Sequence, residues 1–435
     1  MKNKDIDNIL KENLKDIINF SEYENSEIKC KKQAFKIYNE EQKKLLQSHI
    51  LLNKHKFNLS VIDREIITIY SKTYTKDIID KLIYQIGKII YLSYKKNFTK
   101  IKNPKNNQYY TSDAGWGCMI RCGQMLLSRG IYKYYKQMKY DSFNALKETS
   151  KFFLDNPLDI NELPEPFIHM MSTYLKSIDV INNNKDKTLI SCYSPFSLKS
   201  ICLNGIICDK SAGEWFSDVN MCYLFQLISE KYNLFNNLKI LSFQSCVVKE
   251  DIIKSCFSTE KTFTNENEFI VYDGNKYYFK NMGIIFISVR LGINVISKEY
   301  HESIRKYFLC KESIGIIGGI KNLAYYFIGY KNNGNLLYLD PHKKKKCRKF
   351  INEIDYNDKY LSKNIHSLNI NKLTTALSFG FIFRNFNEYN DLFKFFLINM
   401  KSFDYPLFTV TEKDVFDEGI NGNLKNLINM EADDF

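Results

Sequence analysis

Hydrophobic positions along this chain follow two patterns, and their order suggests the architecture. Early on they recur at helical spacing. Ile6, Ile9, Leu10, Leu14, Ile17 and Ile18 fit one helical face in a Lys-, Asn- and Glu-rich stretch that has no Gly or Pro through residue 65. Apolar density rises at Ile66. Helices are expected over Ile78–Lys95 and, most strongly, from about Cys118 to Tyr135, with a polar loop at Ile101–Tyr110 between them. The second half is richer in short apolar runs. Lys239–Phe243, Gly283–Val289, Ile314–Ile317, Tyr325–Tyr330, Leu336–Leu339 and Leu377–Phe383 are expected as strands. Asn332-Asn-Gly-Asn between two of them is a hairpin signal. Helices are expected at Asp218–Tyr232, Lys298–Phe308 and Glu388–Met400, and a low-complexity loop at 182–188. Helices first and a mostly antiparallel strand block afterwards predict an α+β fold, with no internal repeat.

Composition narrows the function classes. Hydrophobic residues at 44% and charged residues at 26% are ordinary globular usage and exclude a wholly disordered chain. The best apolar run, Gly283–Val289, is far too short to cross a bilayer, so no membrane span is expected. The first residues, Met1-Lys-Asn-Lys-Asp-Ile, form no apolar secretory segment. The 11 cysteines are therefore expected as thiols in a reducing, cytoplasmic setting. The net charge of +13 is uneven: Glu412–Phe435 carries −5. Three parts are expected: an N-terminal extension over 1–65, partly helical or disordered; a main folded domain over 66–410; and an acidic tail over 411–435. The basic balance permits nucleic-acid, membrane or acidic-protein partners. Diffuse charge and the lack of an RNA motif argue against nucleic acid. Gly315-Ile-Ile-Gly-Gly-Ile-Lys lacks phosphate-loop spacing.

One segment carries clear chemistry. In Thr111-Ser-Asp-Ala-Gly-Trp-Gly-Cys118-Met-Ile-Arg-Cys-Gly-Gln, a polar loop runs through two glycines into a helix, with Ser112 and Asp113 as candidate caps. Cys118 then falls in the first helical turn, where the helix dipole favours a thiolate. Cys118 and Cys122 lie four apart, but no second Cys/His pair stands at ligand spacing, so no metal site is expected. A thiolate needs a base, and there are six histidines. His342 closes Leu336-Leu-Tyr-Leu-Asp-Pro-His, where two-residue periodicity puts Asp340 and His342 on one face. Asp340 can then hold one imidazole nitrogen and leave the other for the nucleophile.

These two stretches resemble the autophagin family, the cysteine proteases that process the ubiquitin-like autophagy modifier. Further similarities follow in family order: Tyr94-Lys-Lys-Asn-Phe98, Ser194-Pro-Phe-Ser-Leu, Gly213-Glu-Trp-Phe216, Val289-Arg-Leu-Gly292, Ile317-Gly-Gly and Tyr326-Phe-Ile-Gly-Tyr330. The resemblance spans roughly residues 66–410. It implies a papain-like fold with a smaller helical subdomain inserted after the nucleophile helix. It also implies Cys118 as nucleophile, His342 as general base, Asp340 as its orienter and Tyr94 in the oxyanion hole. Trp215 is implied as a clamp on the substrate's C-terminal Gly. The implied activity is cleavage of the modifier after that Gly and its release from phosphatidylethanolamine, without cofactor or metal, with transient membrane contact. The rival reading is a catalytically inactive scaffold that binds the modifier or an anionic membrane. Two departures stand out. Lys321 and Tyr325 occupy positions where the family's gating loop carries Pro and His, and the basic run Lys343–Lys346 follows the base directly, with Lys345 where a Gln often stands. Glu388-Tyr-Asn-Asp-Leu392 has the pattern of a modifier-binding peptide, yet sits at the start of an expected helix.

Overall fold

The computed structural model describes residues 66–75, 82, 85–86, 88–155, 194–261, 266–346, 365–401 and 405–413. The expectations for residues 1–65, for the loop at 182–188 and for the tail beyond Lys413 lie outside them. The chain enters through a small hairpin, β1 (Ile67–Ile69) and β2 (Lys72–Tyr74), followed by β3 (Lys95–Lys102) and β4 (Tyr109–Ser112). Helix α1 (Cys118–Gln137) comes next, then α2 (Ser142–Lys151), α3 (Leu198–Gly205) and α4 (Asp218–Lys231). Strands β5 (Leu238–Gln244) and β6 (Cys246–Val248) lead to α5 (Lys249–Cys256) and to the three-stranded β7 (Phe257–Ser258), β8 (Phe269–Tyr272) and β9 (Asn275–Phe279). After β10 (Met282–Arg290) and α6 (His301–Tyr307) come β11 (Ser313–Ile320), β12 (Leu323–Lys331), β13 (Asn335–Leu339), β14 (Lys345–Lys346), β15 (His366–Asn369) and β16 (Ala376–Phe383). The chain closes on α7 (Phe386–Lys401) and β17 (Thr409–Thr411).

The main sheet runs β15-β13-β12-β11-β16-β10-β5, with β1 and β2 added alongside β12. Every pairing in it is antiparallel except β10 with β5. Helices cover both faces. Ile284 and Phe286 of β10 point into the core shared with α1, α2, α3 and α4. Ile285 and Ile287 point the other way, into the core shared with α5, α6 and α7. A strand buried on both faces needs apolar residues at every position, which is why these strands are continuous apolar runs in the sequence. The fold class is α+β, as expected. The helices that follow α1 are present and share its core.

Two expectations are corrected, and one reading that the expected helix already disfavoured is excluded. The helix expected over Ile78–Lys95 stops short: residues 91–94 are irregular and Lys95 already belongs to β3. The backbone there is needed elsewhere, since Tyr94 N–H donates to the Pro341 carbonyl (2.9 Å) and Lys345 N–H donates to the Tyr94 carbonyl (2.8 Å). The supposed polar loop 101–110 is the end of β3, a turn and the start of β4. Glu388–Leu392 is not an available peptide: Tyr389 and Leu392 are buried in α7, at 2% and 0% exposure, and Glu388 pairs with Arg384. At the C-terminal end, β17 pairs with β6, while Glu412 and Lys413 bind Lys249 and Asp273.

Candidate active site

The C-terminal ends of β11 and β13 and the N-terminus of α1 converge at one end of the main sheet. Cys118 is the first residue of α1, and Gly117 is its N-cap with no side-chain cap hydrogen bond. Neither candidate cap serves the helix. Ser112 donates to the Lys95 carbonyl. Asp113 accepts from Lys95 N–H (2.5 Å) and from Arg121 Nε (2.6 Å). The helix start is shaped instead by the Asp113 carbonyl, which accepts from Trp116 and Gly117 N–H (3.3 and 2.8 Å). This turn requires the left-handed backbone at Gly115, φ +93°. The N-terminus of α1 is thereby left without a competing side-chain acceptor, which suits it to stabilise an anion.

Arg121 anchors the loop. It is fully buried between Asp113 (2.6 Å) and Asp155 (2.7 Å), and it also donates to Gln124 Oε1 (3.1 Å). Asp155 in turn accepts Leu198 N–H at the start of α3 (2.8 Å). One guanidinium thus joins the nucleophile loop to the helices behind it, while Asp113 ties that loop to Lys95, the neighbour of Tyr94.

The imidazole arrives from the end of β13. Asp340 Oδ1 accepts from the His342 ring at Nδ1 (2.5 Å) and from His342 N–H (2.9 Å). The i, i+2 relation read in the sequence therefore closes a local turn, which Tyr91 secures by donating its hydroxyl to the Asp340 carbonyl (2.6 Å). Nε2 of His342 is buried without a nitrogen or oxygen partner, and the group it addresses is the Cys118 thiol. Tyr94 and Tyr325 stand edge-on to the imidazole, with ring centroids at 5.4 and 5.6 Å.

The electrostatics favour an ion pair. Burial pulls the His342 imidazole down, but Asp340 and Cys118 push it to about 9. Burial raises the Cys118 thiol, yet hydrogen bonds from His342, Tyr94 and the Ala324 N–H outweigh it and the net shift is downward. Asp340 is likewise held below the usual carboxylate range: the contacts from His342 overcome its burial. Burial, and then the adjacent Cys118, hold the Tyr94 hydroxyl protonated as a donor. One turn along α1, Cys122 is the opposite case, a buried thiol pushed well above its ordinary value.

Trp215 is brought to the same place. Its indole is 45% exposed and donates from Nε1 to the Gly115 carbonyl (2.9 Å), three residues before Cys118. Gly213 allows the approach: at φ +91°, a Cβ there would lie 2.1 Å from the Tyr110 ring. Asp218, at the start of α4, accepts from Ser378 of β16 (2.7 Å) and ties the loop's far end to the sheet. All five residues singled out in the sequence, Tyr94, Cys118, Trp215, Asp340 and His342, therefore surround one position. The sequence reading missed the Ala324 N–H, Tyr91 and the Arg121–Asp155 anchor. None has a local signal, because each acts across a long sequence separation. Of the departures, Lys321 forms a two-residue turn with Asn322 between the paired Ile320 and Leu323, with φ +43°.

A thiol at a helix start, facing an imidazole from a sheet edge that a carboxylate orients, on an α+β fold, defines a papain-like cysteine peptidase. The peptidase C54 catalytic domain matches residues 79–395, and the chain belongs to that family. It is similar to the cysteine protease ATG4A of Gallus gallus, 26% identical over 322 residues, covering 69% of this chain and 73% of that protein. ATG4A of Homo sapiens is 28% identical over 279 residues, 60% of each chain. ATG4C of Homo sapiens is 23% identical over 384 residues, 77% of this chain and 79% of that protein. Among the described residues no helix is long and apolar enough to cross a membrane, and no group of His, Cys, Asp and Glu could hold a metal ion.

Proposed function

We infer that this peptidase cleaves a ubiquitin-like autophagy modifier after a Gly near its C-terminus, and releases the same modifier from phosphatidylethanolamine. The observation that carries the reading is the meeting of Cys118, His342 and Asp340, with Tyr94 alongside. In this reading Cys118 Sγ attacks the Gly carbonyl carbon. Negative charge builds on the carbonyl oxygen, where the Tyr94 hydroxyl and the N-terminus of α1 stabilise it. The C–N bond breaks as His342 Nε2 gives its proton to the leaving amine. Water then attacks the thioester carbonyl carbon and gives a proton to His342 Nε2; the C–S bond breaks, the new carboxylate leaves, and the thiolate–imidazolium pair is restored. Asp340 holds the imidazole at Nδ1 throughout. A peptide bond and the amide to ethanolamine ask the same of these groups, so one site serves both substrates. In this reading Trp215, whose exposed indole donates to the Gly115 carbonyl, covers a narrow Gly-containing segment of the substrate.

In this proposal residues 66–410 are the catalytic unit, 1–65 and 411–435 are appendages, and the enzyme works in the cytoplasm, where its thiol stays reduced. The test is incubation with a modifier precursor and mass determination of the products. Cleavage after the Gly that Cys118→Ser abolishes is the expected result. An intact precursor, or cleavage undiminished in Cys118→Ser, would overturn the reading.

A further inference from the structure

Beside the candidate site, β14, β3 and β4 form a small separate sheet in which Lys345 lies opposite Lys95 and Lys346 opposite Lys96. These three strands contain six lysines and no Asp, Glu or Arg. Lys343 and Lys344, which link the sheet to His342, are exposed, as are Lys96 and Lys100. Among the described residues, Asp113 is engaged by Arg121, Asp340 by His342, and Asp209 and Glu214 by Lys105. Tyr109, 49% exposed, lies among the lysines with the Lys100 ammonium 4.7 Å from its ring centre. The Lys345 ammonium rests 4.9 Å from the ring centre of Tyr91, whose hydroxyl holds the Asp340 carbonyl. The basic surface is therefore mechanically continuous with the turn that carries the base.

We propose that this lysine surface docks on the anionic face of a lipid bilayer. Lysines are compact point charges suited to a diffuse field, whereas planar, bidentate phosphate recognition in nucleic acids favours arginine, which these strands lack. An exposed tyrosine among them matches the amphipathic side chains that settle at a membrane–water interface. The attraction acts within a Debye length, and each lysine multiplies binding by about fivefold at low ionic strength. Docking this surface would bring His342 and Cys118 to the bilayer, where an amide linking a protein to a lipid headgroup must lie. Charge and the exposed Tyr109 carry the docking; only its purpose rests on the function proposed above.

The experiment is co-sedimentation of the full chain with vesicles of phosphatidylcholine alone or mixed with phosphatidylserine, at low and high salt. Binding is expected on the anionic vesicles only, lost at high salt. It should be weakened on the order of 10²–10³-fold in Lys96→Ser/Lys100→Ser/Lys343→Ser/Lys344→Ser, at about fivefold per lysine. The variant's thermal melting and Cys118 alkylation rate should stay at the wild-type value, which separates a lost surface from a lost fold. Equal binding by the variant, or equal binding to neutral vesicles, overturns the proposal. Displacement of the protein from anionic vesicles by polyuridylate, but not by free polyglutamate, reassigns the surface to nucleic acid and overturns it as well. Because sedimentation involves no cleavage, a failure of the protease reading would leave this result standing, and the reverse.

Discussion

Tyr325 stands beside His342 with ring centroids 5.6 Å apart and planes at 76°. It is itself braced by Tyr338 at 4.4 Å. With Tyr94 near the same imidazole, the His342 ring is confined between two aromatic rings. Tyr325 occupies the position where the family resemblance leads one to expect His, so here an aromatic ring supplies the confinement. Tyr325→Phe should keep near-normal turnover, since shape rather than the hydroxyl does the confining. Tyr325→Ala should lower kcat by about tenfold to 10² with KM little changed, as expected for a misplaced base. Wild-type kcat in a folded Tyr325→Ala would show that Asp340 alone positions the ring.

The pKa shifts define a pH window. The Cys118 thiol is lowered, so its thiolate persists as pH falls below the ordinary thiol range. The His342 imidazole is raised to about 9, so it stays protonated until pH climbs through that value. Between the two, thiolate and imidazolium coexist. Iodoacetamide should therefore alkylate Cys118 rapidly well below pH 8, while buried Cys122, shifted the other way, stays inert. His342→Ala should move the alkylation midpoint upward. A wild-type rate that simply follows an ordinary thiol, near pKa ~8.5, would contradict the ion pair.

Tyr94 tests the oxyanion assignment. Its hydroxyl is a protonated donor beside Cys118, so Tyr94→Phe should reduce kcat by about 10²–10³, with KM nearly constant. The ring's contact with His342 survives that substitution, which isolates the hydroxyl. A kcat within a few-fold of wild type would leave the oxyanion to backbone N–H groups alone.

Arg121 tests the scaffold beneath the site. Arg121→Met leaves Asp113 and Asp155 buried without their shared cation and should cost about 3–5 kcal/mol in denaturant unfolding. A loss below about 1 kcal/mol would mean that the pair is screened as at a surface.

Much of the site was legible because its parts are local. Gly117 followed by Cys118 announces a helix start within a few residues, and Asp340 and His342 meet through a single turn at the end of β13. The strands were legible because burial on both faces demands nearly continuous apolar runs, as in β10 and β16, whose buried Ser288 and Ser378 hydrogen-bond each other. Signals that depend on distant partners misled. Ser112 and Asp113 have good capping chemistry, but Lys95 and Arg121 claim them.

Sequence alone therefore determined which side chains could be brought together: the thiol, the imidazole and the carboxylate are set by residue type and by short-range geometry. Tertiary structure decided what surrounds them. The early end of the helix before Tyr94, the Ala324 N–H at the thiol, Tyr325 against His342 and the parallel pairing of Lys345 with Lys95 all join segments far apart in the chain. Such contacts arise only when the whole core packs, because their free energy comes from excluding water between elements whose separation in the sequence carries no periodic signal.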